Sequence, residues 1–204
     1  MKKEKTKNII IAGLVIGLVA LTVAYAVMTQ TLIINSSAKV VNKDASWNIF
    51  FDSNSLSQPI ITGNASIDPG KELIVNGSTR LENLEVTLTA PGDSVSYTFD
   101  VKNTGSVNAI VDYVSLPDVQ NAQYISQTSS AEDIATVKAN LRYSLTYDND
   151  SVYGNATPAV GQVLSAGSTK KLKLTIAYDS NASAIPENTV TVSGLNARID
   201  YKQN

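Results

Sequence analysis

The chain has 204 residues, with 16 Lys+Arg against 18 Asp+Glu, and it contains neither cysteine nor histidine. The lack of histidine removes Ser-His-Asp and Cys-His catalysis, His-ligated zinc and the H-E-x-x-H motif together. The lack of cysteine removes any disulfide framework, so a core or an assembly must hold the fold.

The first residues, Met1-Lys2-Lys3-Glu4-Lys5-Thr6-Lys7, form a positively charged start. An uncharged, largely apolar run follows from Ile9 to about Met28 and contains Ala24-Tyr25-Ala26 near its end. Small residues at Ala24 and Ala26 suit the −3 and −1 positions of signal peptidase cleavage, which would then follow Ala26. The cations keep the N-terminus on the cytoplasmic side, so the chain beyond is expected outside the cell or on its surface. A run of roughly 20 apolar residues also suffices to span a bilayer. The alternative is therefore an uncleaved membrane anchor over residues 9–28. Gly13 and Gly17 would then form a G-x-x-x-G helix face. The domain organisation expected is a signal or anchor over 1–26 and one domain over 27–204.

Beyond residue 26 the chain keeps 12 basic and 17 acidic residues, a net charge near −5. That balance argues against nucleic acid and anionic lipid as partners, because both require clustered Lys and Arg. The one basic cluster, Lys170-Lys171-Lys173, alternates with Leu172 and Leu174 and reads as the solvent face of a strand.

The segment from Thr29 to Val41 is strongly β-prone at Thr31, Leu32, Ile33 and Ile34. After cleavage it would lie at the new N-terminus, as a candidate strand-exchange segment able to add to a neighbouring sheet. The competing reading is that it pairs within its own domain. Ser46 to Asp52 is the next expected strand, with Trp47, Ile49 and Phe51 on one face. Short strands are expected over Leu84 to Ala90, Asn108 to Val114 and Thr189 to Val192. Period-2 alternation is clearest at Val95-Tyr97-Phe99-Val101, Leu141-Tyr143-Leu145-Tyr147, Leu172-Leu174-Ile176-Tyr178 and Leu195-Ala197-Ile199-Tyr201. Asp68-Pro69-Gly70, Asn76-Gly77, Pro91-Gly92-Asp93, Asn103-Thr104-Gly105, Tyr153-Gly154-Asn155 and Ala166-Gly167-Ser168 supply the turns. Between Leu116 and Asn140 the pattern changes. Ser129 to Ala139 begins with hydroxyls and acids and carries lysine near its end, which predicts a short surface helix. The expected fold is all-β: an antiparallel β-sandwich, jelly-roll or Ig-like, with that one helix.

Two stretches carry a resemblance. The lysine-rich start and apolar run, followed by Thr31-Leu32-Ile33-Ile34-Asn35 and Ser46-Trp47-Asn48-Ile49-Phe50-Phe51, look like small exported proteins of Gram-positive bacteria. The stretch from Leu88 to Ser106, containing Pro91-Gly92-Asp93 and Asn103-Thr104-Gly105, resembles the TasA/camelysin family. It is equally similar to repeat modules of many bacterial surface proteins. The TasA resemblance implies a secreted jelly-roll subunit, processed by a signal peptidase and assembled into extracellular matrix fibres. Its N-terminal strand would complete the next subunit's sheet. Its partners would be further copies or related surface proteins. Camelysin-type relatives have been labelled metalloproteases, and the histidine ligands for that chemistry do not exist here.

Other candidate sites read as structural. Tyr147-Asp148-Asn149-Asp150-Ser151 gathers oxygen ligands, but it lacks the glycine and closing glutamate of a calcium loop and reads as a polar hairpin turn. Glu132-Asp133 reads as helix-start acids rather than a general acid/base pair. Trp47 and the tyrosines read as core, against a carbohydrate-stacking role. Six Asn-x-Ser/Thr triplets, starting at Asn35, Asn64, Asn76, Asn149, Asn155 and Asn181, are silent in a bacterial protein. Lys102 and Lys138 are candidates for an isopeptide link whose partner the sequence does not identify. The sequence implies no cofactor, metal or catalytic residue. It leaves two readings of function: a structural subunit of a surface assembly, and a tethered module binding carbohydrate, cell wall or host ligand.

Overall fold

The computed structural model describes residues 46–128 and 130–204. The strands are β1 (Ile49–Asp52), β2 (Ile60–Thr62), β3 (Ser66–Ile67), β4 (Ile74–Asn76), β5 (Arg80–Glu82), β6 (Val86–Thr87) and β7 (Ser94–Asn103). They continue as β8 (Ala109–Ser115), β9 (Gln123–Ser126), β10 (Leu141–Tyr147), β11 (Val163–Leu164), β12 (Thr169–Tyr178), β13 (Val190–Ser193) and β14 (Arg198–Gln203). Among the described residues one α-helix, α1 (Ala131–Asn140), precedes β10.

The strongest alternating runs make the largest sheet. Its order is β1-β7-β12-β10, with β2 pairing the other end of β7 on the β1 side, and every pairing is antiparallel. Register places Phe99 opposite Leu172 and Tyr97 opposite Leu174. Leu145 lies opposite Leu174 and Tyr147 opposite Leu172. Because side chains alternate across a strand, one face of this sheet is almost wholly apolar and buried. A second sheet runs β11-β8-β14. Its Ala109, Val111 and Leu164 are buried. Ala109 and Leu164 share a cluster with Val95, Tyr97, Phe99 and Leu172, and Ile199 and Tyr201 pack against it. Phe51 meets Phe99 edge-on at 5.6 Å, the preferred aromatic geometry. Trp47, Ile49 and Phe51 all pack on this cluster, as the sequence leads one to expect.

A smaller cluster caps the end of the same apolar face. Val137 of α1 is buried with Leu141 and Ile176, and Tyr124 of β9 and Val190 and Val192 of β13 pack around it. The stretch between Leu116 and Asn140 thus closes the core rather than standing off it. Ser130 caps α1 by accepting the Asp133 N–H at 3.1 Å. The helix is one residue longer at its end than the sequence suggests, and it buries Asp133 and Val137 on one side.

Three expected strands are shorter than the sequence implies: Ser46 to Asp52 is strand only over β1, and side-chain or turn bonds explain the other two. The run from Leu84 to Ala90 is a strand only over β6. The N–H groups of Thr89 and Ala90 go to the Asp93 carboxylate, at 2.7 and 2.8 Å, instead of a ladder. The run starting at Leu195 becomes strand only at Arg198, because Asn196 N–H turns back to the Gly194 carbonyl at 2.9 Å. Leu195 then packs in the smaller cluster. The strands that the sequence did not announce, β2, β3, β4, β5, β9 and β11, have two to four residues each, too few for alternation to register.

Candidate functional site

Ala24, Ala26 and the segment Thr31, Leu32, Ile33, Ile34 lie outside the described residues. The described chain enters beside the Asn103-Thr104-Gly105 turn. Ser106 N–H donates to the Ser46 carbonyl at 2.9 Å and Thr104 N–H to the Asn48 carbonyl at 3.0 Å. Asn103 is fully buried. Its amide donates to Val107 and Leu164 carbonyls, while its oxygen accepts the Gly105 N–H. A Cβ on Gly105 would collide with the Ser46 carbonyl, so only glycine lets the entering segment lie this close.

The loop after β10 holds the most enclosed ion pair among the described residues. Lys170 Nζ sits 2.7 and 2.9 Å from the two Asp150 oxygens, with side-chain exposures of only 14% and 9%. Asp150 also accepts the N–H groups of Val152 and Tyr153, both at 2.9 Å. Lys170 lies 4.7 Å from the Tyr153 ring centroid, and Tyr153 stacks on Tyr147 at 5.0 Å. Tyr147 donates its hydroxyl to Gln162 at 2.9 Å. Burial works to raise the Asp150 pKa, but Lys170 and the two backbone donors outweigh it and hold the carboxyl below its ordinary range. Burial pushes the Tyr147 phenol up, and Tyr201 up to about 12.

This cluster corrects the reading of Lys170-Lys171-Lys173 as one solvent face. Lys170 shares the parity of Leu172 and turns to the core side, whereas Lys171 pairs outward with Asp100. The signal was present, since a strand of period 2 cannot put adjacent lysines on one face. The turn itself runs over residues 150–154 and is closed by Asp150 and Gly154, whose N–H and C=O groups bond reciprocally at 2.9 and 2.8 Å.

The outer face of the large sheet is polar. Asp52 and Asp100 lie directly opposite each other in register, a repulsive pair that lysines neutralise. Lys102 Nζ bonds Asp52 at 2.5 Å, and Lys171 Nζ lies 3.2 Å from Asp100 Oδ1 without hydrogen-bond alignment. The Lys102 bond, helped by the Asn54 N–H, holds the Asp52 pKa below its ordinary value. Ser96 and Thr175 hydroxyls meet at 2.8 Å farther along the same face. Lys102, an isopeptide candidate, is here the ion-pair partner of Asp52, and Lys138 lies 5.0 Å from the Tyr124 ring centroid.

Two further acids join distant segments. Asp133 bonds the Glu187 N–H at 2.8 Å and the Asn188 amide at 2.9 Å, which fixes the start of α1 against the chain before β13. Asp93 is buried and accepts the N–H groups of Asn64, Thr89 and Ala90 together with the Thr89 hydroxyl. In both, burial opposes ionisation. The Asn188 amide at Asp133, and the backbone donors at Asp93, more than offset it and lower the pKa. All of these groups are neutralised or bonded from within the chain, and several of them join segments far apart in the sequence.

Among the described residues, no three His, Cys, Asp or Glu side chains converge in a way that could hold a metal ion. No described helix is long and apolar enough to cross a membrane. Exposed apolar side chains are scattered at Ile60, Ile61, Ile74, Ile125, Val152, Val160 and Ile185. No family model, curated protein or solved structure matches the chain.

Proposed function

We propose that this chain is a secreted or cell-surface structural protein, a subunit of an extracellular fibre or surface assembly. Its body is a jelly-roll or Ig-like β-sandwich, and it works by self-association rather than by catalysis. One observation carries the reading: a lysine-led apolar segment ending near Ala24-Tyr25-Ala26, followed at once by the β-prone residues 31–41. Export brings the chain to the cell surface, and cleavage after Ala26 leaves a strand able to complete a neighbour's sheet. The similarity of residues 88–106 to TasA/camelysin proteins agrees with this, as does a body whose enclosed charges are bonded internally.

The test compares residues 27–204 with residues 42–204 by sedimentation and electron microscopy over a wide range of concentration, pH and salt. Fibres or large oligomers are expected from the longer chain and not from the shorter. Monomers from both under every condition would refute the assembly reading.

The second reading is a membrane-tethered binding module, held by residues 9–28 and recognising carbohydrate or a cell-wall or host ligand. The exposed Ile125, on the outside of the β9–β13 ribbon, favours it. Glycan or cell-wall pulldown that is lost on replacing Ile125 with serine would select this reading.

A further inference from the structure

We propose that two copies of this chain pair through the outer edge of β14, antiparallel and centred on Tyr201, so that their β11-β8-β14 sheets become one continuous sheet. This inference is drawn from the described residues alone.

The backbone sets the first condition. Asn204 N–H donates to the Asn108 carbonyl at 3.0 Å. Val111, opposite Tyr201, donates its N–H to the Gln162 carbonyl at 2.9 Å and accepts the Gly161 N–H at 2.8 Å, on the side away from β14. Antiparallel pairs alternate between hydrogen-bonded and non-hydrogen-bonded positions. Ile199, Tyr201 and Gln203 therefore direct their N–H and C=O groups away from β8. Among the described residues no backbone partner takes them, and β14 ends the sheet order.

Charge supplies the second condition and selects the register. The wet face of β14 carries Arg198, Asp200 and Lys202, with side-chain exposures of 70%, 37% and 57%; within the chain Arg198 pairs with Asp200 at 2.7 Å and Lys202 with Asp112 at 2.6 Å. Residues directly opposite in an antiparallel pair share a face and interact. A pairing centred on Asp200 would oppose Asp200 to Asp200 and Arg198 to Lys202, repulsive throughout. A pairing centred on Ile199 would run into Leu195 to Ala197, which precede the strand and include the Gly194–Asn196 turn. A pairing centred on Tyr201 opposes Asp200 to Lys202 twice and Ile199 to Gln203. It also gives Tyr201 two reciprocal backbone bonds with its counterpart. It uses only residues of β14 and is two-fold symmetric, as an isologous dimer requires. An edge guarded by like charges repels a second strand. The alternating signs of β14 make it complementary to itself instead.

Charge exchange tests the pairing. The full chain would be studied by sedimentation equilibrium, in a mild detergent that keeps its apolar N-terminal run in solution. The wild type is expected to form dimers. Asp200→Lys and Lys202→Asp should each weaken dimerisation by about tenfold or more, since each places like charges opposite one another. An equimolar mixture of the two variants should restore it, because both lysines of one variant then face the two aspartates of the other. The double variant D200K/K202D should dimerise by itself, and it carries the test if thermal unfolding shows a single variant to be misfolded. A wild type that stays monomeric, or single variants that dimerise normally, would overturn the proposal. So would a mixture that fails to recover. Association insensitive to the charge changes but lost on deleting residues 27–41 would also overturn it, and would assign the contact to the N-terminal segment.

Discussion

Asp93 shows how one side chain can organise a turn, a strand end and a distant loop. Its carboxylate takes backbone donors from Asn64, Thr89 and Ala90, and a Cβ on Gly63 would collide with it. Asp93→Ala would leave three part-buried N–H groups without their acceptor, at about 1–3 kcal/mol for each group that water cannot reach. A net loss of about 2–4 kcal/mol is expected, read as a lower urea midpoint with an unchanged slope. The Pro91-Gly92-Asp93 turn was legible in the sequence, whereas the role of the Asp93 side chain was not. Its partner Asn64 is 29 positions away, and only folding brings the two together.

Lys170 and Lys171 make the same point through parity. Adjacent in β12, they face opposite ways: one side chain is 14% exposed and the other 47%. Lys170→Met would leave Asp150 enclosed without its cation, so a loss of about 1–3 kcal/mol is expected after allowing for the residual exposure. Lys171→Met should cost only about 0–1 kcal/mol, as for a wet surface pair. Equal losses in denaturant titrations would contradict the interior placement of Lys170.

At the scale of elements, long alternation was a reliable guide and short elements were not. The cores of β7, β10 and β12 follow directly from hydrophobic residues at every second position, since only one strand face can meet the core. The exposed β2 and the ribbon of β4 with β5 carry no such pattern, and their existence depends on what lies beside them. The helix was legible from Ser130, Glu132, Asp133 and Lys138, although its burial was not. Ser130→Ala removes the cap and should cost about 1 kcal/mol. Val137→Ala opens the smaller cluster and should cost about 1–2 kcal/mol. Both should lower the temperature of one common unfolding transition, because Leu141 and Ile176 belong to β10 and β12 as well as to that cluster. A separate early transition in calorimetry would show that α1, β9 and β13 unfold by themselves.

For the whole molecule, cohesion comes from the shared core and from carboxylates that join distant segments, since cysteine is absent. Asp93, Asp133 and Asp150 all have lowered pKa values in the folded state. Such groups contribute stability that is fully present above the unfolded carboxyl pKa, about 3.9. That contribution is lost as pH falls through the lower folded values. The melting temperature should therefore hold steady from neutrality to about pH 5 and fall steeply below about pH 4. Asp93→Asn should flatten part of that fall. At the other extreme, burial raises the Tyr143 and Tyr201 pKa values to about 12. Their stabilising effect is complete below pH 10 and is lost as pH rises toward 12, which ultraviolet titration of the phenols would follow.

The sequence by itself determined the all-β class, the inward residues of the long strands, most turns and the helix, because these depend on local chemistry and on a period of two. It also confined catalysis, by omitting histidine and cysteine. Tertiary structure alone decided which acid meets which donor. It also decided that the residues between Leu116 and Asn140 close the core, and that β14 ends its sheet among the described residues. Those outcomes depend on segments brought together from far apart in the chain, which no local pattern encodes.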